Sequence, residues 1–237
     1  LKVYMLSKRH IFIGTIFLIA FILGILCWMG LAKNTFTYKS HGEPIRNGDP
    51  ASNKMAITCN VDWGNEVIPE LLKILDEKNI KITFFVTGRW ASNNPELLKE
   101  IYHRGHEIGN HGYGHKMHSK ISREANIWEI KKTEEIIENI IGVKCKYFAP
   151  PAGDFNQTTL EVAGSLGYKT ILWNIDTIDW REDSTADVII KRVMNKSHRG
   201  AILLMHPKPE TIKALPYIIE KISEKNIKIG TVSNLLH

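Results

Sequence analysis

The sequence predicts an α/β domain built on parallel strands, and three observations lead there. From Met55 onward, short β-branched or apolar runs alternate with segments whose apolar residues recur every three or four positions. Seven strand signals alternate with helix signals, which implies parallel pairing through right-handed crossovers. The polar candidates then fall just past the carboxyl ends of the expected strands: Asn60 and Asp62, His111 and His115, Asp154, Asp176 and Asp179, and His206. Parallel α/β folds build their sites at that edge. A closed or nearly closed barrel and an open doubly wound sheet both satisfy the pattern.

The elements follow in order. Met55-Ala56-Ile57-Thr58-Cys59 is a short buried strand, and Ile68, Leu71, Leu72 and Leu75 mark a helix. Ile82 to Val86 is β-branched and aromatic, hence a strand. Asn94-Pro95 opens a helix with a cap and a first-turn proline. Gly105 ends it, and His106 to Gly109 is the third strand. Ile127, Ile130, Ile137 and Ile141 line a longer helix that Gly142 closes. Strands follow at Lys146 to Ala149, Thr170 to Trp173, Ala201 to Leu204 and Lys228 to Val232. Helices are expected at Thr158 to Leu166 and Thr211 to Lys225, and one reaching Met194 with Ser184 and Asp187 as a capping box.

The 237-residue chain suits one domain with an appendage. Its 43% hydrophobic and 24% charged content is that of an ordinary globular protein. Residues 11–32 carry no charge and are long enough to cross a bilayer of roughly 30 Å. Lys8 and Arg9 precede them, which points to a cytoplasmic start. The expectation is therefore a cytoplasmic segment (1–10), a transmembrane signal-anchor (11–32), a polar linker (33–54) and a catalytic domain outside the cell membrane (55–237). A cleaved signal peptide is the competing reading. The net charge of +6 has no dense basic block, so a nucleic-acid partner is not expected. No C-x-x-C pair among the three cysteines suggests zinc. A monomer is expected.

The chemistry centres on Gly105-His106-Glu107-Ile108-Gly109-Asn110-His111-Gly112-Tyr113-Gly114-His115. Gly112 and Gly114 disfavour a helix, so His111 and His115 belong to a loop past a strand end. Two imidazoles and one carboxylate make a site for Zn²⁺ or a similar ion with open positions for water, and Asp62 is the natural third ligand. His206 is placed to protonate a leaving amine, with Asp179 holding its tautomer. Trp63 and Trp180 suit a pocket for a sugar or an acetyl methyl; for Trp173, core packing is preferred.

With those motifs in hand, the stretch from Met55 to the C-terminus resembles the polysaccharide deacetylases, the NodB-like carbohydrate esterases. His106 to His111 with His115 looks like the family's metal motif. Phe148-Ala149-Pro150-Pro151-Ala152-Gly153 with Asn156, Trp173 through Asp179-Trp180, and Leu204-Met205-His206 resemble later motifs in the same order. The resemblance implies an irregular (β/α) barrel of about seven parallel strands. It also implies a divalent metal (Zn, with Co or Ni as alternatives) and hydrolysis of N-acetyl groups on a peptidoglycan or chitin-like glycan. The expected assignment is Asp62, Asp179 and His206 in catalysis, Asp62, His111 and His115 on the metal, and Asn60, Trp63, Pro151 and Trp180 on substrate.

Two departures qualify it. The family's first motif is Thr-Phe-Asp-Asp-Gly, its first Asp acting as base. Here Thr58-Cys59-Asn60-Val61-Asp62-Trp63-Gly64 puts an amide in that place, and a neutral amide takes no proton from water. Ala149 stands where the family carries the arginine that holds the base. The longer Asp-Trp-Gly form resembles a branch from spore-forming bacteria. The leading expectation is a metal-dependent amidohydrolase; the alternative is a catalytically impaired glycan-binding relative with a role in spore or cell-wall assembly.

Overall fold

The computed structural model describes residues 20–22 and 42–237, and the architecture below is that of the unit His41–His237. Eight strands alternate with helices: β1 (Lys54–Val61), β2 (Thr83–Val86), β3 (Glu107–Asn110), β4 (Tyr147–Phe148), β5 (Lys169–Thr170), β6 (Ile175–Asp176), β7 (Ile202–Met205) and β8 (Lys228–Gly230). They form one parallel sheet in the order β5-β4-β3-β2-β1-β7-β6, with β8 also paired to β1. Seven of the strands coincide with expected ones; β6 is the addition.

β1 is the hub because it is long enough to be shared. Its Thr58–Val61 half pairs with β2, its Lys54–Ala56 end with β8, and its middle, Ala56–Cys59, with β7. At Ala56 the partners β8 and β7 must occupy opposite edges, so β8 and β2 follow one another along the same edge. β5 and β6 are the two ends of the order and no pairing joins them. The result is an irregular half-barrel. Ile45, from the stretch read as linker, donates its N–H to Thr170 O at 2.9 Å and accepts from Leu172 N–H at 2.8 Å. Asn47 bridges to Ala201. The segment thus lies between the β5 and β7 regions of the sheet.

Strand parity decides which side chains enter the barrel, since successive residues face opposite sides. Met55, Ile57, Cys59 and Val61 pack with the helix layer, together with Phe84, Val86, Ile108, Leu203 and Met205. The opposite parity faces inward: Ala56, Phe85 and Ile202 fill the bottom with Tyr147, Ile171, Val232 and Leu235. Continuing that parity upward brings Asn60, Asp62, Thr87, His111 and His206 to the open mouth. Gly109 is required by this packing, because a Cβ there would stand 2.3 Å from the Phe85 ring.

The helices are amphipathic and cover the outer face. The longest, Arg123–Ile141, starts at Ser122, whose Oγ accepts the Ala125 N–H, and ends at Gly142 with φ of 72°. The cap of Ala186–Met194 differs from expectation. Thr185, not Ser184, accepts from Val188 N–H, because the Ser184 hydroxyl is drawn to Ile178 O at 2.7 Å. A short helix at Gly88–Asn93, capped by Thr87, was not expected.

The expected transmembrane segment lies outside the described residues except for Ala20, Phe21 and Ile22, which are helical and exposed. Among the described residues no helix is long and apolar enough to cross a membrane. The fold class is corrected accordingly to the half-barrel alone. The transmembrane helix, the membrane as a partner, and the single-pass cell-membrane location go with that correction. They rested on a count of uncharged residues, a one-dimensional signal.

Candidate functional site

A cleft of about 450 Å³ opens at the carboxyl ends of the strands, within the range of ligand sites. Asn60, Asp62, His111, His115 and His206 line it, with Trp63, Trp173 and Trp180 around them. Every residue given a catalytic, metal or substrate role is there except two. Asp179 lies behind His206, and Pro151 is buried in its turn while Ala152, at φ of 54°, takes the position on the cleft. Asp154 accepts from Ser119 and is not on the cleft; Asp176 is, and accepts from Trp173 Nε1 at 3.0 Å.

One wall is built on β6 and β7. Asp179 is buried, and its Oδ1 lies 2.7 Å from His206 Nδ1. Its Oδ2 accepts the His206 backbone N–H and the Thr211 hydroxyl, each at 2.7 Å. Burial works to raise this carboxyl, but the bonds and charge of His206 outweigh it and hold the group below its usual range. His206 is thereby held at ring and backbone, with Nε2 left for the cleft. Trp63 stacks on the imidazole with ring centroids 5.9 Å apart and planes at 16°, and Lys208 Nζ sits 5.0 Å over the Trp63 ring. Gly64 makes this approach feasible: its φ is 86°, and a Cβ would lie 2.6 Å from Pro207 O.

The facing wall is built on β1, β2 and β3. His111 is buried, and its Nδ1–H donates to Ala149 O at 2.6 Å, leaving an Nε2 lone pair. Burial, with His115 beside it, pushes the His111 imidazole down to about 3. The His115 ring stands 5.2 Å from that of His111 at 73°, and burial lowers its pKa too. Glu129 shapes the loop between them by accepting the N–H groups of Tyr113 and Gly114, both at 2.7 Å. Asn60 is 4% exposed, and its Oδ1 has no hydrogen-bond partner.

Asp62 is where this wall departs from expectation. Its Oδ1 accepts from Thr87 Oγ1 and from Arg89 Nε, both at 2.7 Å, and its Oδ2 accepts from Arg89 Nη2. This is a bidentate guanidinium–carboxylate fork. Burial works to raise the Asp62 carboxyl, but Arg89 and Thr87 outweigh it and hold it below the usual range. Two imidazoles therefore present suitable lone pairs while the expected third ligand is engaged by a cation of the protein's own. Among the described residues no group of three or more His, Cys, Asp or Glu is placed to hold a metal. The donor set does not fit the expected divalent ion.

Arg89, Thr87, Glu129 and Thr211 are the site residues that sequence reasoning missed. A signal existed for the first two: they follow the end of β2, Val86, as Asp62 follows the end of β1, Val61. Nothing local marked Thr211 or Glu129.

A family model for polysaccharide deacetylase matches residues 47–171. Uncharacterized protein YlxY of Bacillus subtilis (strain 168) is 42% identical over 82% of this chain, and the match spans 60% of that relative's length. A peptidoglycan-N-acetylglucosamine deacetylase of Bacillus cereus is 32% identical over 77% of this chain and 69% of its own. A crystal structure described as a CE4 family pseudoenzyme from Bacillus anthracis superposes with a TM-score of 0.80 at 39% identity, covering 82% of this chain and 69% of that one. With the engaged Asp62, this overturns the leading expectation of a metal-dependent hydrolase active on N-acetylated glycan. The physical reason is that the carboxylate needed for metal or proton is already neutralised, and the residue in the family's base position is an amide.

Proposed function

Since the chain belongs to the polysaccharide deacetylase family, we propose that it is a catalytically impaired, glycan-binding member with a role in spore or cell-wall assembly. The observation that carries this reading is the Arg89–Asp62 fork facing an intact Asp179–His206 pair across one cleft. A cleft that keeps its shape and its aromatic rim while its Asp62 carboxylate is engaged is suited to holding an amide-bearing sugar rather than cutting it. Trp63 and Trp180 are 41% and 57% exposed, wide enough to stack on sugar rings. The buried Asn60 Oδ1 is an acceptor in want of a donor, and an acetamido N–H is one. The similarity to a pseudoenzyme agrees with this reading.

The test pairs binding with turnover. N-acetylglucosamine oligomers titrated calorimetrically should give saturable binding, weaker for fully deacetylated oligomers. Acetate release, with Zn²⁺, Co²⁺ or Ni²⁺ added, should stay at the protein-free background. Multiple-turnover acetate release would sink the proposal, and so would equal binding of both oligomers.

A further inference from the structure

The engagement of Asp62 has a consequence for metal binding that goes beyond loss of activity and does not depend on any glycan. We infer that Arg89 is a built-in cation that stands in for a divalent ion, so that a guanidinium on Asp62, rather than loss of the imidazoles, opposes metal binding at the His111–His115 loop.

Three features support it. Both imidazoles remain at the cleft, and the His111 Nδ1–H to Ala149 carbonyl bond fixes the tautomer in which Nε2 is free to ligate. The carboxylate expected to complete the set, Asp62, is saturated: Oδ1 holds two donors and Oδ2 a third. The geometry is also asymmetric in burial. The Asp62 side chain is 10% exposed and that of Arg89 49%. Arg89 thus reaches in from a neighbouring groove, lined with Asn65, Asn93 and Asn94, to meet a carboxylate fixed at the wall. A planar five-donor fork that never loses its charge suits this post; a lysine would not span both oxygens. A divalent ion and the guanidinium compete for the same two oxygens, and binding one excludes the other.

The prediction separates substitution by a cation from simple decay of the site. Zn²⁺ and Co²⁺ are titrated into wild type, Arg89→Met, Arg89→Lys and Arg89→Met/His111→Ala, by calorimetry and, for Co²⁺, by visible absorption. Arg89→Met keeps an apolar stem against the protein, and Arg89→Lys keeps a charge without the fork, so one of the two should retain the fold by thermal melting. Wild type should hold no stoichiometric metal after dialysis. Arg89→Met should bind one equivalent at least about tenfold more tightly, a difference near 1.4 kcal/mol. Arg89→Lys should fall between, and the His111→Ala double variant should lose the gain. Stoichiometric Zn²⁺ lost on His111→Ala in a protein that keeps Arg89 would overturn the inference. Folded Arg89 variants that gain nothing would also overturn it. Neither result bears on whether glycan binds without hydrolysis, so this inference and the proposed function fail separately.

Discussion

The two walls of the cleft differ in how their carboxylates are held. Asp179 is buried, and all its hydrogen-bond partners come from beyond β6, from His206 and Thr211. Asp62 is also saturated, but two of its three bonds, beside that of Thr87, come from a side chain that is half in solvent and enters from the next groove. The first wall organises an imidazole for the cleft; the second cancels a charge that the cleft would otherwise present. One ion pair can therefore take a carboxylate out of a site with no collapse of the surrounding fold.

Stability should expose this difference most strongly. Asp179→Asn removes the acceptor of a buried network and is expected to cost about 2–4 kcal/mol in urea unfolding. Asp62→Asn, whose partner is half-exposed and screened, is expected to cost at most about 1 kcal/mol. Equal losses would mean that the two walls are held alike.

The joint between the walls is the next place to break. Gly64→Ala puts a Cβ against Pro207 O at a left-handed position and should cost on the order of 1–3 kcal/mol. It should also pull Trp63 from His206, seen as a changed tryptophan emission. A variant as stable as wild type with unchanged emission would show that the stack does not depend on this turn.

Acid should separate the walls by pH window. An unfolded imidazole takes its proton below about 6.5, whereas folded His111 resists until about 3. Between these values the unfolded state binds more protons, so stability falls on acidification, by about 1 kcal/mol between pH 7 and 5.5 for one such group. His106, lowered to about 4 by burial, adds to the same window. Asp179 has the opposite chemistry: its contribution is complete above the unfolded carboxyl value of about 3.9 and is lost as pH falls through its lower folded value. His111→Gln should partly flatten the profile between pH 6.5 and 5 and leave the drop below pH 4. An unchanged slope above pH 5 would remove His111 as its source.

The smallest stability effect is expected at the rim. Trp63→Ala and Trp180→Ala should each shift unfolding by no more than about 0.5–1 kcal/mol, since the two residues are 41% and 57% exposed. Each should nonetheless weaken oligosaccharide binding several-fold if the rings form the platform. Unimpaired binding in both would move the glycan elsewhere on the protein.

Much of this was legible in the chain. The β-branched and aromatic run at 82–86, the apolar run at 201–204 and the helical spacing of Leu71, Leu72 and Leu75 announced strand and helix in the right order. The H-x3-H loop was legible because Gly112, at φ of 70°, and Gly114 interrupt any helix there. Asn60 in place of a base was visible as a change of residue type. Strand β6 was not: Ile175–Asp176 carries no β-branched or apolar run of its own. Nor was the cap at Thr185, where Ser184 has the same chemistry but a different backbone partner.

The sequence by itself determined which residues reach the barrel mouth. Strand parity carries Asn60, His111 and His206 to one side once Ala56, Phe85 and Ile202 are committed to the interior, and it determined that the base position holds an amide. Only the tertiary structure decided what those residues touch. Asp62 and Arg89 are 27 positions apart, and Trp63 lies 143 positions before the His206 it covers. Their pairing depends on how the loops after β1, β2 and β7 turn above a shared sheet. Local periodicity governs the direction in which a side chain leaves its own strand, and it contains no information about which neighbour from another strand end arrives to meet it.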